Sequence, residues 1–387
     1  MKSRVLIAGG GVAALETVLA LRELAADRVD VRVFSPRRDF VYRPYAVGEP
    51  YGAGHVARYD LERLVGMCGD EFRLDSIASV DPVTRLAVTH DGESFPYDHL
   101  VVAAGVQLLW PVPGATTFWG IADESDVHKV MKGLRSGELK SVAFTTPGYE
   151  TWALPLYELA LLARAELAHS GIADVSLKIV TPEEAPLAIF GRRVGEQMAE
   201  LLAERGIEVL TGTRPVRFQD GRLQVVPGGE LEVDAAVSLP RLEGRRIRGV
   251  LHDPDGFIGV DEHGRVLGRE RIYAAGDITS FPVKQGGIAA QQADAVAESI
   301  AAEVGVAIEP RPFDPLLRAV LWTGEEPRYL QGWIGGGHGE SSSLTVEPPW
   351  DARAIGGDGK IVARRLASFL AGPGAAARRD ASAPASR

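Results

Sequence analysis

The sequence predicts an α/β protein with two Rossmann-like units of parallel strands and helices, followed by a small C-terminal segment. Three observations predict it. Val5–Ala8 is a short apolar run rich in β-branched residues, and Gly9, Gly11 and Ala14 follow it at G-x-G-x-x-A spacing, with helical periodicity from Val12 through Leu24. A second alternation of strand-like and helix-like runs begins at Ser141. Two further apolar runs, Leu100–Gly105 and Ile272–Asp277, each finish on small residues, as buried parallel strands do where a ligand approaches.

Each small residue in the opening turn has a physical task. Gly9 allows the tight reversal from strand to helix, and Gly11 lets the backbone approach a pyrophosphate. Ala14 lets the helix pack closely on the strand. Val12 and Ala13 open the helix, whose N–H groups and positive dipole end suit phosphate. Val29–Phe34 then alternates as the next parallel strand. A dinucleotide fold commonly ends this strand on Asp or Glu, but Ser35 stands there, followed by Pro36, Arg37 and Arg38. The arginines are compatible with a 2′-phosphate, with adenine and with a backbone phosphate alike.

Residues 39–60 are aromatic, Gly/Pro-rich and expected to be irregular, with Phe72–Thr89 as a small antiparallel meander. From Ser141 the pattern repeats: Leu154–His169 as a long helix, Val175–Thr181 as a strand, Arg192–Arg205 as a helix. The turn between Thr146 and Pro155, however, has no G-x-G-x-x-G, and Trp152 and Pro155 stand in it. The domain boundaries expected are 1–115 with 240–310 for the first unit, 116–239 for the second, 311–371 for the C-terminal segment, and 372–387 for a disordered tail.

Composition narrows the function. The chain has 387 residues, 45% hydrophobic and 24% charged, which is an ordinary globular balance. A net charge of −10 disfavours nucleic acid as a partner. No apolar run approaches the ~20 residues of a membrane span. The chain enters a strand at once, which leaves no room for a signal peptide, so a cytoplasmic protein is expected. One cysteine, Cys68, excludes an internal disulfide or a C-x-x-C redox pair, and reads as a packed small residue. The eight histidines show no metal-ligand spacing, so no metal is expected.

The three motifs Gly9-x-Gly11-x-x-Ala14, Leu100-Val-Val-Ala-Ala-Gly105 and Ile272-Tyr-Ala-Ala-Gly-Asp277, in this order and spacing, resemble the two-dinucleotide-domain flavoproteins with the glutathione reductase-like FAD/NAD(P) fold. That family is the pyridine nucleotide-disulfide oxidoreductases. In detail the chain resembles the branch of sulfide:quinone oxidoreductases, flavocytochrome c sulfide dehydrogenases and type II NADH dehydrogenases. Tyr157–Leu162, Thr181-Pro-Glu-Glu, Phe190-Gly191, Leu321-Trp-Thr-Gly324, Pro349-Trp350 and Lys360-Ile361 carry that likeness. The resemblance implies FAD, with its pyrophosphate on Gly9 to Ala14, and with Ser35, Arg37, Ala104, Gly105, Gly276 and Asp277 along it. Gly286, Gly287 and Ile288 would aim a helix N-terminus at the flavin. It also implies Glu158 and Lys284 as catalytic candidates. Glu158 reads either as a solvated helix-surface carboxylate or as a proton-passing group in the cleft, and Lys284 either as a solvated helix-start lysine or as a flavin contact.

The chain departs from that branch at the redox cysteines, of which it lacks the pair. The function expected is an FAD-dependent oxidoreductase passing electrons from an unidentified reductant to a quinone-like or protein acceptor, without a cysteine persulfide. An NAD(P)H-dependent reductase with an altered turn at 146–155, or a flavin-stabilised non-catalytic binding protein, are the alternatives. The basic stripe at 360–370 admits peripheral membrane contact or packing on the first unit, with packing preferred because the stripe is short.

Overall fold

A computed structural model of the chain describes residues 2–120, 126–148, 152–334, 342–350, 360 and 363–379. The helices are α1 (Val12–Ala25), α2 (Leu61–Met67), α3 (Asp126–Ser136), α4 (Leu154–His169), α5 (Arg192–Glu204), α6 (Gly286–Glu303) and α7 (Arg364–Ala371). Parts of the expected 146–155 turn, of the 360–370 stripe and of the tail lie outside the described residues.

The Ser3–Ala8 strand is central in a five-stranded parallel sheet, between His99–Val102 and Val29–Phe34, with Ile272–Ala274 and Glu71–Arg73 at the edges. Its alternation feeds two cores at once. Val5 and Ile7 join one apolar cluster with α1 and α6, while Leu6 and Ala8 join another on the opposite face. A strand covered on both faces must be apolar throughout, which is why the run reads as continuous rather than alternating.

The second unit repeats this layout. Ser141–Thr145 lies between Ala235–Ser238 and Ser176–Val180 in another five-stranded parallel sheet, with Thr116–Thr117 and Ile207–Leu210 outside them. An antiparallel pair, Val106–Leu109 with Arg241–Gly244, spans the two passages between the units. Three antiparallel strands, Leu316–Leu321, Arg328–Trp333 and Ser343–Thr345, form the C-terminal sheet. The fold class is therefore as read from the sequence: two Rossmann-like α/β units and a small C-terminal segment.

Three expectations are corrected. Residues 39–60 are not irregular: Asp39–Tyr42 pairs antiparallel with Ala57–Asp60 around a 3-10 segment at Arg43–Tyr51, and the aromatic residues that look like loop furniture pack as Phe40 against Tyr59. The meander is Ile77–Pro96, because Glu71–Arg73 joins the first sheet instead. The described part of the tail, residues 372–379, is structured: Arg379 pairs with Asp39 at 2.8 Å and Asp60 at 2.6 Å, and Arg378–Arg379 pairs antiparallel beside the Ala57–Asp60 strand. Its small residues lack apolar bulk, yet Ala377 is buried against the first unit.

The packing alternative for the basic stripe also describes its helix. Leu366 and Leu370 are buried in the first unit's core. Arg365 reaches Glu23 at 2.6 Å and Asp294 at 2.5 Å. Glu16, buried in α1, caps α7 by accepting the Leu366 N–H at 2.9 Å and the Arg365 N–H at 3.3 Å. No helix among the described residues is long and apolar enough to cross a membrane.

Burial, reinforced by Asp294, pushes the Glu16 carboxyl from its ordinary 4.5 up to about 7. Between those values the folded chain holds a proton that the unfolded chain releases, so stability falls as pH rises through that window. Glu16→Gln should flatten this part of the Tm-against-pH curve relative to wild type. An unchanged slope would show that Glu16 is solvated. Leu366→Ala should cost about 2–5 kcal/mol in denaturant unfolding, whereas a change below about 0.5 kcal/mol would contradict the docking of α7.

Candidate active site

The carboxyl ends of the first sheet open into a cleft of about 1580 Å³ that runs on to α4, α6 and the C-terminal sheet. Ligands of open α/β sheets sit at this edge. Gly9 has φ +142°, and a Cβ there would lie 2.0 Å from the Ala103 carbonyl oxygen, so only glycine fits the reversal. At Gly11 a Cβ would meet nothing within 4 Å, and the cleft lies open in front of it. The first N–H groups of α1 there have no side-chain cap. Val12 and Ala13 line the same wall, while Ala14 is fully buried beneath it. Gly276 must also be glycine: at φ +83°, its Cβ would stand 2.9 Å from Ala13 Cβ and 3.4 Å from Ala289 Cβ. Its N–H donates to Gln292 Oε1 at 2.7 Å, which ties the strand end to α6. Ala104 and Gly105 flank the opposite side of the opening.

Ser35 is buried, and its Oγ accepts the Arg37 N–H at 3.2 Å, so it shapes the loop after the strand. Arg37, Arg43 and Arg245 all line the cleft, and none of them forms an ion pair within 4 Å among the described residues. Burial, then the Arg37 charge, pushes the Arg43 guanidinium below its ordinary value, with Asp277 opposing. Asp277 lies in the same wall without a hydrogen bond to any described residue, and burial pushes its carboxyl up against the pull of Lys284 and Arg43. This concentration of positive charge suits an anion in the cleft. Arg43 and Arg245 escape a reading of the sequence because they sit outside any glycine motif, one of them in a 3-10 segment.

Gln285 caps α6 by accepting the Ile288 N–H at 3.0 Å, which leaves Gly286 and Gly287 at the helix start on the cleft wall. Lys284 is buried rather than solvated. Its ammonium donates to the Phe281 carbonyl at 2.7 Å and to the Thr279 carbonyl, and lies 3.9 Å from the Phe257 ring centroid. It fastens the loop ahead of α6.

Glu158 is likewise not a surface carboxylate. It is 1% exposed, and its Oε1 accepts the Trp322 N–H at 2.8 Å and the ammonium of Lys360. Lys360 is itself buried, with its ammonium 4.9 Å from the Trp322 ring centroid and its carbonyl accepting the Tyr42 hydroxyl at 2.9 Å. Both side chains line the cleft. Burial pushes the Glu158 carboxyl up and the Lys360 ammonium down, and each partner opposes the other's shift. Lys360 lies 202 positions from Glu158, so only the three-dimensional structure shows the pair.

The matching edge of the second unit is closed by its own residues. Glu183, just past the Ser176–Val180 strand, is where a dinucleotide-binding carboxylate would stand. It accepts the Tyr157 hydroxyl at 2.6 Å and the Thr181 hydroxyl at 3.0 Å. At the start of α4 Pro155 has no N–H, and the Leu156 N–H donates back to the Ala153 carbonyl at 2.9 Å. Trp152 packs edge-on against Phe190, with ring centroids 6.1 Å apart.

The sequence profile of the pyridine nucleotide-disulphide oxidoreductases matches residues 157–297, which join the second unit to α6. Over that stretch the chain is similar to that family. It is an oxidoreductase of the flavoprotein class. An NADH dehydrogenase-like protein of Mycobacterium tuberculosis is 28% identical over 307 residues, covering 72% of this chain and 73% of that protein. A sulfide-quinone reductase of Aquifex aeolicus is 27% identical over 221 residues, covering 54% and 50%. The crystal structure of the Aquifex aeolicus sulfide:quinone oxidoreductase superposes with a TM-score of 0.78 at 21% identity, covering 89% of this chain and 86% of that one, which shows the shared fold. In this oxidoreductase Cys68 caps the end of α2 away from the cleft lining, and burial raises its thiol.

Removing one partner of a buried ion pair leaves the other charge stranded, at a cost of about 3–5 kcal/mol. Lys360→Met should destabilise the oxidoreductase by that order in denaturant unfolding, and Glu158→Gln combined with it should recover part of the loss. Additive losses in the double variant would contradict the pairing.

Proposed function

We propose that this oxidoreductase holds FAD in the cleft and passes electrons from a donor other than NAD(P)H to a quinone-like acceptor, without a cysteine persulfide. The observation that carries the reading is the contrast between the two units. The first unit's turn is open at Gly11 and faces three arginines without ion-pair partners among the described residues, whereas at the second unit's helix start Pro155 has no N–H, the Leu156 N–H turns back on Ala153, and Tyr157 and Thr181 take the strand-end carboxylate. One unit is built for a pyrophosphate and the other is not.

FAD, when bound, supplies the two-electron chemistry. The chain's own groups do the rest. The backbone at Gly9–Ala13, with Arg43 and Arg245, would hold the pyrophosphate, and Asp277 would accept hydrogen bonds from the cofactor's hydroxyls. The N-terminus of α6 favours negative charge in its neighbourhood by ~0.3–2 kcal/mol. Trp322 and Lys360 orient the Glu158 carboxyl, and that carboxyl takes up or releases the proton that accompanies electron transfer. The lone Cys68, which is not part of the lining, leaves thiol chemistry out of the route. A sulfide-quinone reductase among the relatives supports a quinone-like acceptor.

Purified protein should be yellow, and Gly11→Val should abolish FAD retention by filling the open space before the turn. Wild type that stays colourless after reconstitution with FAD would overturn the cofactor. Glu158→Gln keeps the shape and removes the proton. At unchanged FAD occupancy it should slow flavin reoxidation by an order of ~10²–10⁴ and change its pH profile. A wild-type rate and profile would remove Glu158 from the mechanism.

A further inference from the structure

The C-terminal sheet contributes a cleft wall of its own. Along Leu316–Leu321, Leu317 and Leu321 enter the second unit's core, while Leu316, Arg318 and Val320 face the cleft. Trp333 stands across from Leu316 on the neighbouring strand. Arg318 is the charged group on this wall. Its Nε donates to Gln331 Oε1 at 3.2 Å, and its guanidinium lies 5.9 Å from the centroid of the Trp350 ring. Its two terminal nitrogens take no hydrogen bond or ion pair among the described residues. The wall is fixed to α6: Gln285 Nε2 donates to the Arg318 carbonyl at 3.0 Å, and Gln291 exchanges hydrogen bonds of 3.0 Å with the backbone of Leu316.

From this geometry we propose that the chamber between Arg318, Trp350 and Trp333 binds a planar aromatic molecule bearing an anionic group, a sulfonate or carboxylate, and that this is the class of the electron acceptor. The proposal rests on the flavin reading above for the word acceptor, and on the chamber alone for the binding. A guanidinium offers two parallel N–H donors to such a group, and the indole faces offer a stacking surface for its ring. Burial lowers the Arg318 guanidinium with no carboxylate to offset it, a cost that an incoming anion relieves.

The test uses two redox-inert probes of one shape, naphthalene-2-sulfonate and the neutral naphthalene-2-sulfonamide, titrated calorimetrically into the FAD-loaded protein. Wild type should bind the sulfonate more tightly than the sulfonamide. Arg318→Gln should weaken the sulfonate about tenfold or more and the sulfonamide less than about threefold, as expected for loss of a hydrogen bond to a charged group. Arg318→Lys should fall between, and Arg192→Gln, a change to an exposed arginine outside the cleft lining, should leave both unchanged. No sulfonate binding by wild type, equal weakening of both probes, or the same loss in Arg192→Gln would overturn the proposal. Reoxidation of photoreduced flavin by anthraquinone-2-sulfonate is read separately. Failure there with Arg318-dependent binding intact refutes the acceptor reading and leaves the anion site standing.

Discussion

A helix stretch buried on every side has to satisfy its polar residues internally, and the first half of α4 imposes that constraint on the molecule around it. It is pressed between the second sheet, the 3-10 segment at Arg43–Tyr51 and the C-terminal sheet. Tyr51 donates to the Leu159 carbonyl at 2.7 Å, and a Cβ on Gly324 would lie 2.1 Å from Ala165 Cβ. Two neighbouring residues in this helix, Tyr157 and Glu158, bury their polar groups, and each finds a different solution. Tyr157 closes on Glu183, and Glu158 draws in Lys360 and the Trp322 N–H. The first contact occupies the second unit's nucleotide edge, and the second attaches the C-terminal segment to the cleft. Burial of such a pair is costly unless both partners stay, so the segment after the C-terminal sheet is held to the second unit by charge as well as by shape.

The two units share the order and direction of four parallel strands but differ in the fifth, edge strand and at their helix starts. In the first, glycine and alanine keep the backbone within reach of a ligand, and close contacts at Gly9 and Gly276 bring α1, α6 and two strand ends to one opening. In the second, proline, a local backbone hydrogen bond and a tyrosine-bound carboxylate use the corresponding groups. Repetition of an architecture therefore does not repeat its chemistry. The second unit supplies a buried wall and one carboxyl group to a site whose remaining parts come from the first unit and the C-terminal segment.

Much of the fold was legible in the sequence because it depends on local pattern. The apolar run at Val5–Ala8, the glycine spacing after it and the alternation from Ser141 are all short-range signals, and the strands and helices stand where those signals place them. The glycine positions were legible for the same reason, since each answers a steric demand set by its neighbours. Lys360 was not, because its partner is in another part of the chain and its basic neighbours read as a helix face. Arg43 and Arg245 were hidden in segments without periodicity. The ordered tail was hidden by composition: Gly372–Ala377 has little apolar bulk, and its order depends on Arg379 reaching Asp39 and Asp60. Glu158 was legible as a position but not as an environment, since solvent and core offer the same helical spacing.

The contrast between the two helix starts can be read directly by anaerobic titration of the FAD-loaded protein with NADH and with NADPH, followed through the flavin absorbance. The account predicts no bleaching by either nucleotide, then full bleaching of the same sample on photoreduction and recovery on addition of a quinone. Stoichiometric bleaching by NADH or NADPH would contradict it.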